Sequence, residues 1–158
     1  MYTIQNTYHN LKNREVDENQ SFLAVIVPSS PVNEINRFLQ LVKSAVYKIN
    51  QTSKRKWNIV ELDFKVGERN AEDNFDKLFN TDLVIAECTD KKPNVFYMVG
   101  LCHTLGCKVC SCYRKKPDEE IDIPFNVHGR QSIIYALNSI QAQEEFEKHI
   151  IDWINCYD

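Results

Sequence analysis

The sequence predicts an α/β fold, a single doubly wound parallel sheet of five strands with helices on both faces, and three observations carry that prediction. Short continuous runs of apolar and β-branched residues, FLAVIV at 22–27 and LVIA at 83–86, have the pattern of strands covered on both faces. Between such runs lie segments whose apolar residues recur every three or four positions, as on one buried side of a helix. Strand and helix patterns alternate along the chain, which calls for right-handed crossovers and parallel pairing.

Residues 1–20 show neither period and are expected to form a flexible or loosely docked arm, with the domain spanning 21–158. Its first strand, Phe22–Val27, closes at Pro28. Ser30 is placed to cap, and Pro31 to open, a helix over Val32–Asn50, in which Ile35, Phe38, Leu39, Val42, Ala45, Val46 and Ile49 mark one face. A polar turn leads to a second strand, Trp57–Leu62, and the loop around Gly67 leads to a short helix carrying Phe75, Leu78 and Phe79. Leu83–Ala86 is the third strand. Pro93 suits the first turn of the next helix, and Gly106 its C-terminal stop. Cys107–Tyr113 is the fourth strand, and a charged, proline-bearing loop follows it. Ser132–Ala136 is the fifth, and Phe146, Ile150, Trp153 and Ile154 stripe a closing helix. This succession is flavodoxin-like.

With 158 residues and 43% apolar content, the chain can bury one core without a metal or disulfide staple. No apolar run of about 18 residues spans a bilayer, and the polar N-terminus lacks a secretory signal, so a cytoplasmic protein with no membrane partner is expected. Six cysteines are present, four of them within 102–112, and they read as reduced thiols. Cys107-x-x-Cys110-x-Cys112 has no second pair to complete a zinc site. Cys110 and Cys112 share one side of a buried strand, where cysteine acts as a small hydrophobe; no metal and no cofactor are expected. The net charge of −3 and the scattered basic residues give no footprint for a nucleic-acid partner.

A doubly wound sheet opens a crevice beyond its C-terminal strand ends. The loops expected to line it are Pro28-Ser29-Ser30, Glu87–Lys92 and the segment from Tyr113 onward. Glu87, Thr89 and Asp90 supply carboxylates and a hydroxyl just before a helix N-terminus, whose amides favour anions and polarised hydroxyls. Asn94 and Tyr97 fall in the first helical turn, and Gly100 permits close backbone approach to the sheet. In a second reading of the same residues, Thr89 or Asp90 caps the helix and Tyr97 packs.

Lys92-Pro93-Asn94-Val95-Phe96-Tyr97-Met98-Val99-Gly100, followed by Cys102-His103-Thr104-Leu105-Gly106, resembles the nucleoside 2-deoxyribosyltransferase-like proteins, which are close in fold to TIR domains. Their pattern is Asn-Pro-Asn-Val-Phe-Tyr-Glu-Leu-Gly and then Ala-His-Ala-Leu-Gly. FLAVIVPSS resembles the family's first strand and loop, and IPFNVHGRQSIIYAL its late arginine-bearing segment, so the likeness covers about Phe22–Leu137.

The resemblance implies a nucleotide-like small-molecule ligand, a homo-oligomer and a place in antiviral signalling or its inhibition. In catalytic members the helix glutamate attacks or stabilises the sugar's anomeric carbon, where positive charge develops. Met98 stands at that position, which implies a catalytically degenerate domain that binds an NAD/ADP-ribose-like ligand or a cyclic nucleotide. Glu87 matches a family acidic residue that contacts the sugar; it would hold ribose hydroxyls or act as a substitute catalytic carboxylate. Pro28, Ser29 and Ser30 would meet phosphate or ribose, Asn94 would orient the sugar, Tyr97 would stack or pack, and Arg130 would grip a phosphate. The alternatives are an active N-glycosidase, NAD hydrolase or deoxyribosyltransferase using Glu87 or a partner-subunit residue, and a structural interaction domain whose crevice is filled by Phe96, Met98 and Tyr113.

Overall fold

The computed structural model describes residues 20–62, 77–124 and 131–157. The arm expected at 1–20, apart from Gln20, lies outside the described residues, as do Gly67, Phe75 and Arg130. The elements are β1 (Gln20–Ile26), α1 (Val32–Thr52), β2 (Lys56–Glu61), β3 (Leu83–Glu87), α2 (Pro93–Thr104), β4 (Lys108–Arg114), β5 (Ser132–Tyr135) and α3 (Ile140–Asn155).

All strands pair in parallel, in the order β2-β1-β3-β4-β5. This is the doubly wound, flavodoxin-like arrangement, with its topological switch point between β1 and β3. Alternate strand residues serve two cores. Leu23, Val25, Leu83, Ile85, Cys110, Cys112, Ile133 and Tyr135 pack beneath α1 and α3, while Ala24, Ile26, Val84, Ala86 and Val109 pack beneath α2. Because β1 and β3 are covered on both sides, polar alternation is absent from them, which accounts for the continuous apolar runs. The α3 stripe Phe146, Ile150, Trp153 and Ile154 is buried as the spacing predicts. On α1, Leu41 is buried and Leu39 only half-buried, a rotation of the stripe at its edge. Tyr135 and Phe146 stack with centroids 4.3 Å apart, and Phe38 lies 5.5 Å from each.

Several boundaries differ from the sequence expectation. Ser30 does not cap α1: Pro31 is itself the N-cap, in extended conformation, and its carbonyl accepts from the Ile35 amide at 3.1 Å. β3 and β4 each run one residue further, through Glu87 and Arg114, because ladder pairing continues to the ends of both strands. At the end of α2, Gly106 adopts φ +79°, its amide bonds the His103 carbonyl at 3.2 Å, and the Cys107 amide bonds that of Cys102 at 2.9 Å. That pair of bonds is the Schellman cap, and glycine supplies the left-handed turn it needs. Gly100 does not bring backbone against the sheet; it is exposed, with nothing within 4 Å of where a Cβ would stand. Among the described residues, no helix is long and apolar enough to cross a membrane.

Candidate functional site

Strand parity decides where the chemistry sits. Glu87 ends β3 in phase with Leu83 and Ile85, so its side chain points to the α1/α3 side. Arg114 ends β4 in phase with Cys110 and Cys112, hence on the same side, and Tyr135 is its register partner on β5. Three adjacent strand ends therefore bring a carboxylate, a guanidinium and a phenol to one edge.

Glu87 is 3% exposed. Its Oε1 accepts three bonds: from the Tyr135 hydroxyl at 3.0 Å, from the Thr89 amide at 3.3 Å, and from the Thr89 hydroxyl at close range. Among the described residues, Oε2 receives none. Burial pushes the Glu87 carboxyl above its ordinary range, and the Thr89 and Tyr135 donors pull it partway back. Burial, reinforced by the neighbouring Glu87 charge, pushes the Tyr135 phenol up, so it stays protonated and donating. The carboxyl is thus fixed in direction by three donors on one oxygen, and it holds a proton more readily than an exposed glutamate.

Thr89 does not cap α2. Its hydroxyl also accepts from the Arg114 amide at 2.8 Å, which ties the loop after β3 to the end of β4. Asp90 does not cap either; it pairs with Lys116 at 2.9 Å, a bond that holds the lysine's pKa above normal. The N-cap position falls to Lys92, with no side-chain cap, while Thr89 is bonded to Glu87 and the Arg114 amide and Asp90 to Lys116.

A pocket of about 200 Å3 opens between these loops, lined by Thr89, Lys91, Tyr113, Arg114, Lys116, Ile121 and the acidic Glu119, Glu120 and Asp122. It lies beyond β3 and β4, to one side of the β1–β3 switch point. The cations around it are paired: Lys91 with Asp122, Lys116 with Asp90 and, at 3.6 Å, with Glu119, and Arg114 with Glu34 at 3.4 Å.

The remaining candidates are dispersed. Pro28 is buried at the end of β1, and Ser29 and Ser30 are exposed beside it. Asn94 is exposed, as is Tyr97 at 62%, on the solvent side of α2. Met98 is 5% exposed and packs in the α2-side core with Val84, Ala86, Cys88 and Tyr113. Tyr113 and Met98 do fill space there, yet the pocket beyond the strand ends stays open. Cys88 neighbours Glu87 in sequence, but burial pushes its thiol up to about 12, which keeps it unreactive. Tyr135, Arg114, Lys116 and Glu34 also gather at this edge and are not among the sequence candidates; the one signal for them is that Tyr135 falls near the end of an expected strand.

The CMP N-glycosidase BcmB of Clostridium botulinum is similar in structure, with a TM-score of 0.55 and 12% sequence identity over 82% of this chain and 98% of that one. At such identity the likeness is one of fold. No family model and no curated protein matches the sequence.

Proposed function

We propose that the domain binds a nucleotide-derived ligand at the C-terminal edge of the sheet, without a carboxylate from α2. The observation that carries this reading is Glu87, a buried carboxyl held by Thr89 and Tyr135 at the C-terminal end of β3, beside the pocket that Thr89 and Arg114 line, where it would accept from ribose hydroxyls. Met98 supports the non-catalytic side of it, since a buried thioether offers an oxocarbenium-like centre no charge. The fold shared with a protein named for CMP cleavage is consistent with a nucleoside monophosphate as ligand, alongside NAD/ADP-ribose-like and cyclic nucleotides.

Calorimetric titration with CMP, NAD, ADP-ribose and cyclic nucleotides tests the proposal. Saturable binding of at least one is expected, weakened about tenfold in Glu87→Gln, the value of one charge-assisted hydrogen bond. A panel in which nothing binds overturns it.

A second reading is favoured by one property of the same residue. A carboxyl whose proton affinity is raised by burial is suited to general acid work on a departing base, as N-glycoside cleavage requires. Chromatographic detection of free base released from CMP or NAD, abolished in Glu87→Gln, would replace binding with hydrolysis as the function.

A further inference from the structure

Arg114 has more donor capacity than the described structure uses. Its side chain is only 14% exposed, and burying most of a guanidinium is costly unless acceptors surround it. Among the described residues its one charged partner is Glu34, met through Nη1 at 3.4 Å rather than as a two-pronged fork. Glu34 is 42% exposed and belongs to the first turn of α1. The two therefore reach toward each other from β4 and from the helix that follows β1, across the end of β3, which lies between those strands in the sheet. Glu87 sits at that end of β3, on the same side of the sheet as Arg114.

Lys91 and Lys116 are differently placed. Each is held by a carboxylate of the neighbouring loop at ordinary or closer ion-pair distance. Arg114 is the most buried cation at this edge, and its partner is half-exposed and met through a single nitrogen at 3.4 Å, so the partner can be exchanged for a better-matched anion. A phosphate monoester matches the guanidinium fork with two oxygens, where Glu34 supplies one.

We infer that Arg114 is the phosphate-binding residue of the crevice and that Glu34 occupies it as a stand-in anion until a phosphorylated ligand displaces the carboxylate. This deepens the proposal of a nucleotide ligand, and rests on it for the sugar contact through Glu87. The exchange neutralises the same guanidinium before and after, so its net gain comes from the second oxygen and from release of Glu34 to water. Ligands with a terminal phosphate are thereby distinguished from nucleosides.

Inorganic phosphate is the first probe, followed by 15N NMR of arginine side chains, with CMP and cytidine titrated in parallel. Phosphate is expected to shift the Arg114 Nε–H signal saturably. Glu34→Gln, a substitution at a half-exposed position that leaves folding intact, is expected to tighten phosphate binding about two- to fivefold, the worth of an exposed ion pair. Arg114→Gln is expected to abolish the phosphate response and to make CMP bind no better than cytidine, with Arg114→Lys giving partial rescue. An Arg114 signal indifferent to phosphate, or a Glu34→Gln variant that binds phosphate no better than wild type, overturns the inference. Phosphate binding that depends on Arg114 while neither CMP nor cytidine binds keeps the anion site and sinks the nucleotide reading instead.

Discussion

Glu87 and Met98 face opposite sides of the sheet. Glu87 shares the α1/α3 side with Tyr135, accepting from its hydroxyl at 3.0 Å, whereas Met98, on the buried face of α2, packs with Val84 and Ala86. The strand β3 and its apolar layer separate them. A carboxylate introduced at 98 would enter that layer and not join Glu87.

Met98→Glu is accordingly expected to lose about 3 kcal/mol of stability, the scale for placing an unpaired ionisable group in an apolar site, and to gain no base-releasing activity. Urea unfolding measures the first and chromatography of free base the second. A variant as stable as wild type would mean that the side chain at 98 reaches solvent.

Tyr135→Phe removes one of the donors on Glu87 and leaves the stack with Phe146 in place. A loss of about 1 kcal/mol is expected. Because the missing bond favoured the ionised carboxyl, the Glu87 pKa should rise further above its ordinary value. Titration of 13C-labelled glutamate by NMR reads this directly, and an unmoved Glu87 resonance would show that Thr89 alone sets its proton.

Two buried glutamates give pH dependences of opposite sign. The pKa of Glu87 is raised, so the folded state holds its proton more tightly; the stability this contributes is complete below the ordinary carboxylate pKa and lost as pH rises through the folded value. For Glu147 burial also pushes upward, but the Lys48 ammonium at 2.6 Å, with the Ser44 hydroxyl, brings the net pKa below normal. Its contribution is present above the ordinary pKa and lost as pH falls through the folded value. Relative to wild type, Glu87→Gln should gain stability as pH rises above about 4.3, and Glu147→Gln should lose it as pH rises toward that value. Urea midpoints across the acid-to-neutral range, compared among the three proteins, test both signs.

The two glycines of the α2 region should respond oppositely to alanine. Gly100 is exposed within the helix with open space around it, so Gly100→Ala is expected to stabilise by about 0.5–1 kcal/mol. Gly106→Ala meets no clash either, but φ +79° costs an L-residue about 1–2 kcal/mol. Thermal melts of the two variants should therefore move in opposite directions.

What could be read in the sequence was whatever depends on local pattern. FLAVIV and LVIA announce doubly covered strands, Gly106 announces the stop of α2, and the α3 stripe announces its buried face. The partners of Glu87 were another matter. Tyr135 comes from β5, and only the parallel register of β3, β4 and β5 brings it near. Thr89 and Asp90 look like helix caps because Ser, Thr and Asp before an apolar helix usually are; here Glu87, two residues back, and Lys116, beyond β4, take them instead. Arg114 looked like the first residue of a charged loop, since nothing in its neighbours reveals that pairing with Tyr135 keeps it in the strand.

The Thr89 hydroxyl has one proton, given to Glu87, and a lone pair occupied by the amide of Arg114. It adds a side-chain link between the loop after β3 and the end of β4, strands already joined there by the Cys88 amide on the Cys112 carbonyl at 2.8 Å. A displacement of the Arg114 amide would load the same hydroxyl that orients the Glu87 carboxyl. Thr89→Val would remove both bonds while preserving the shape of the side chain.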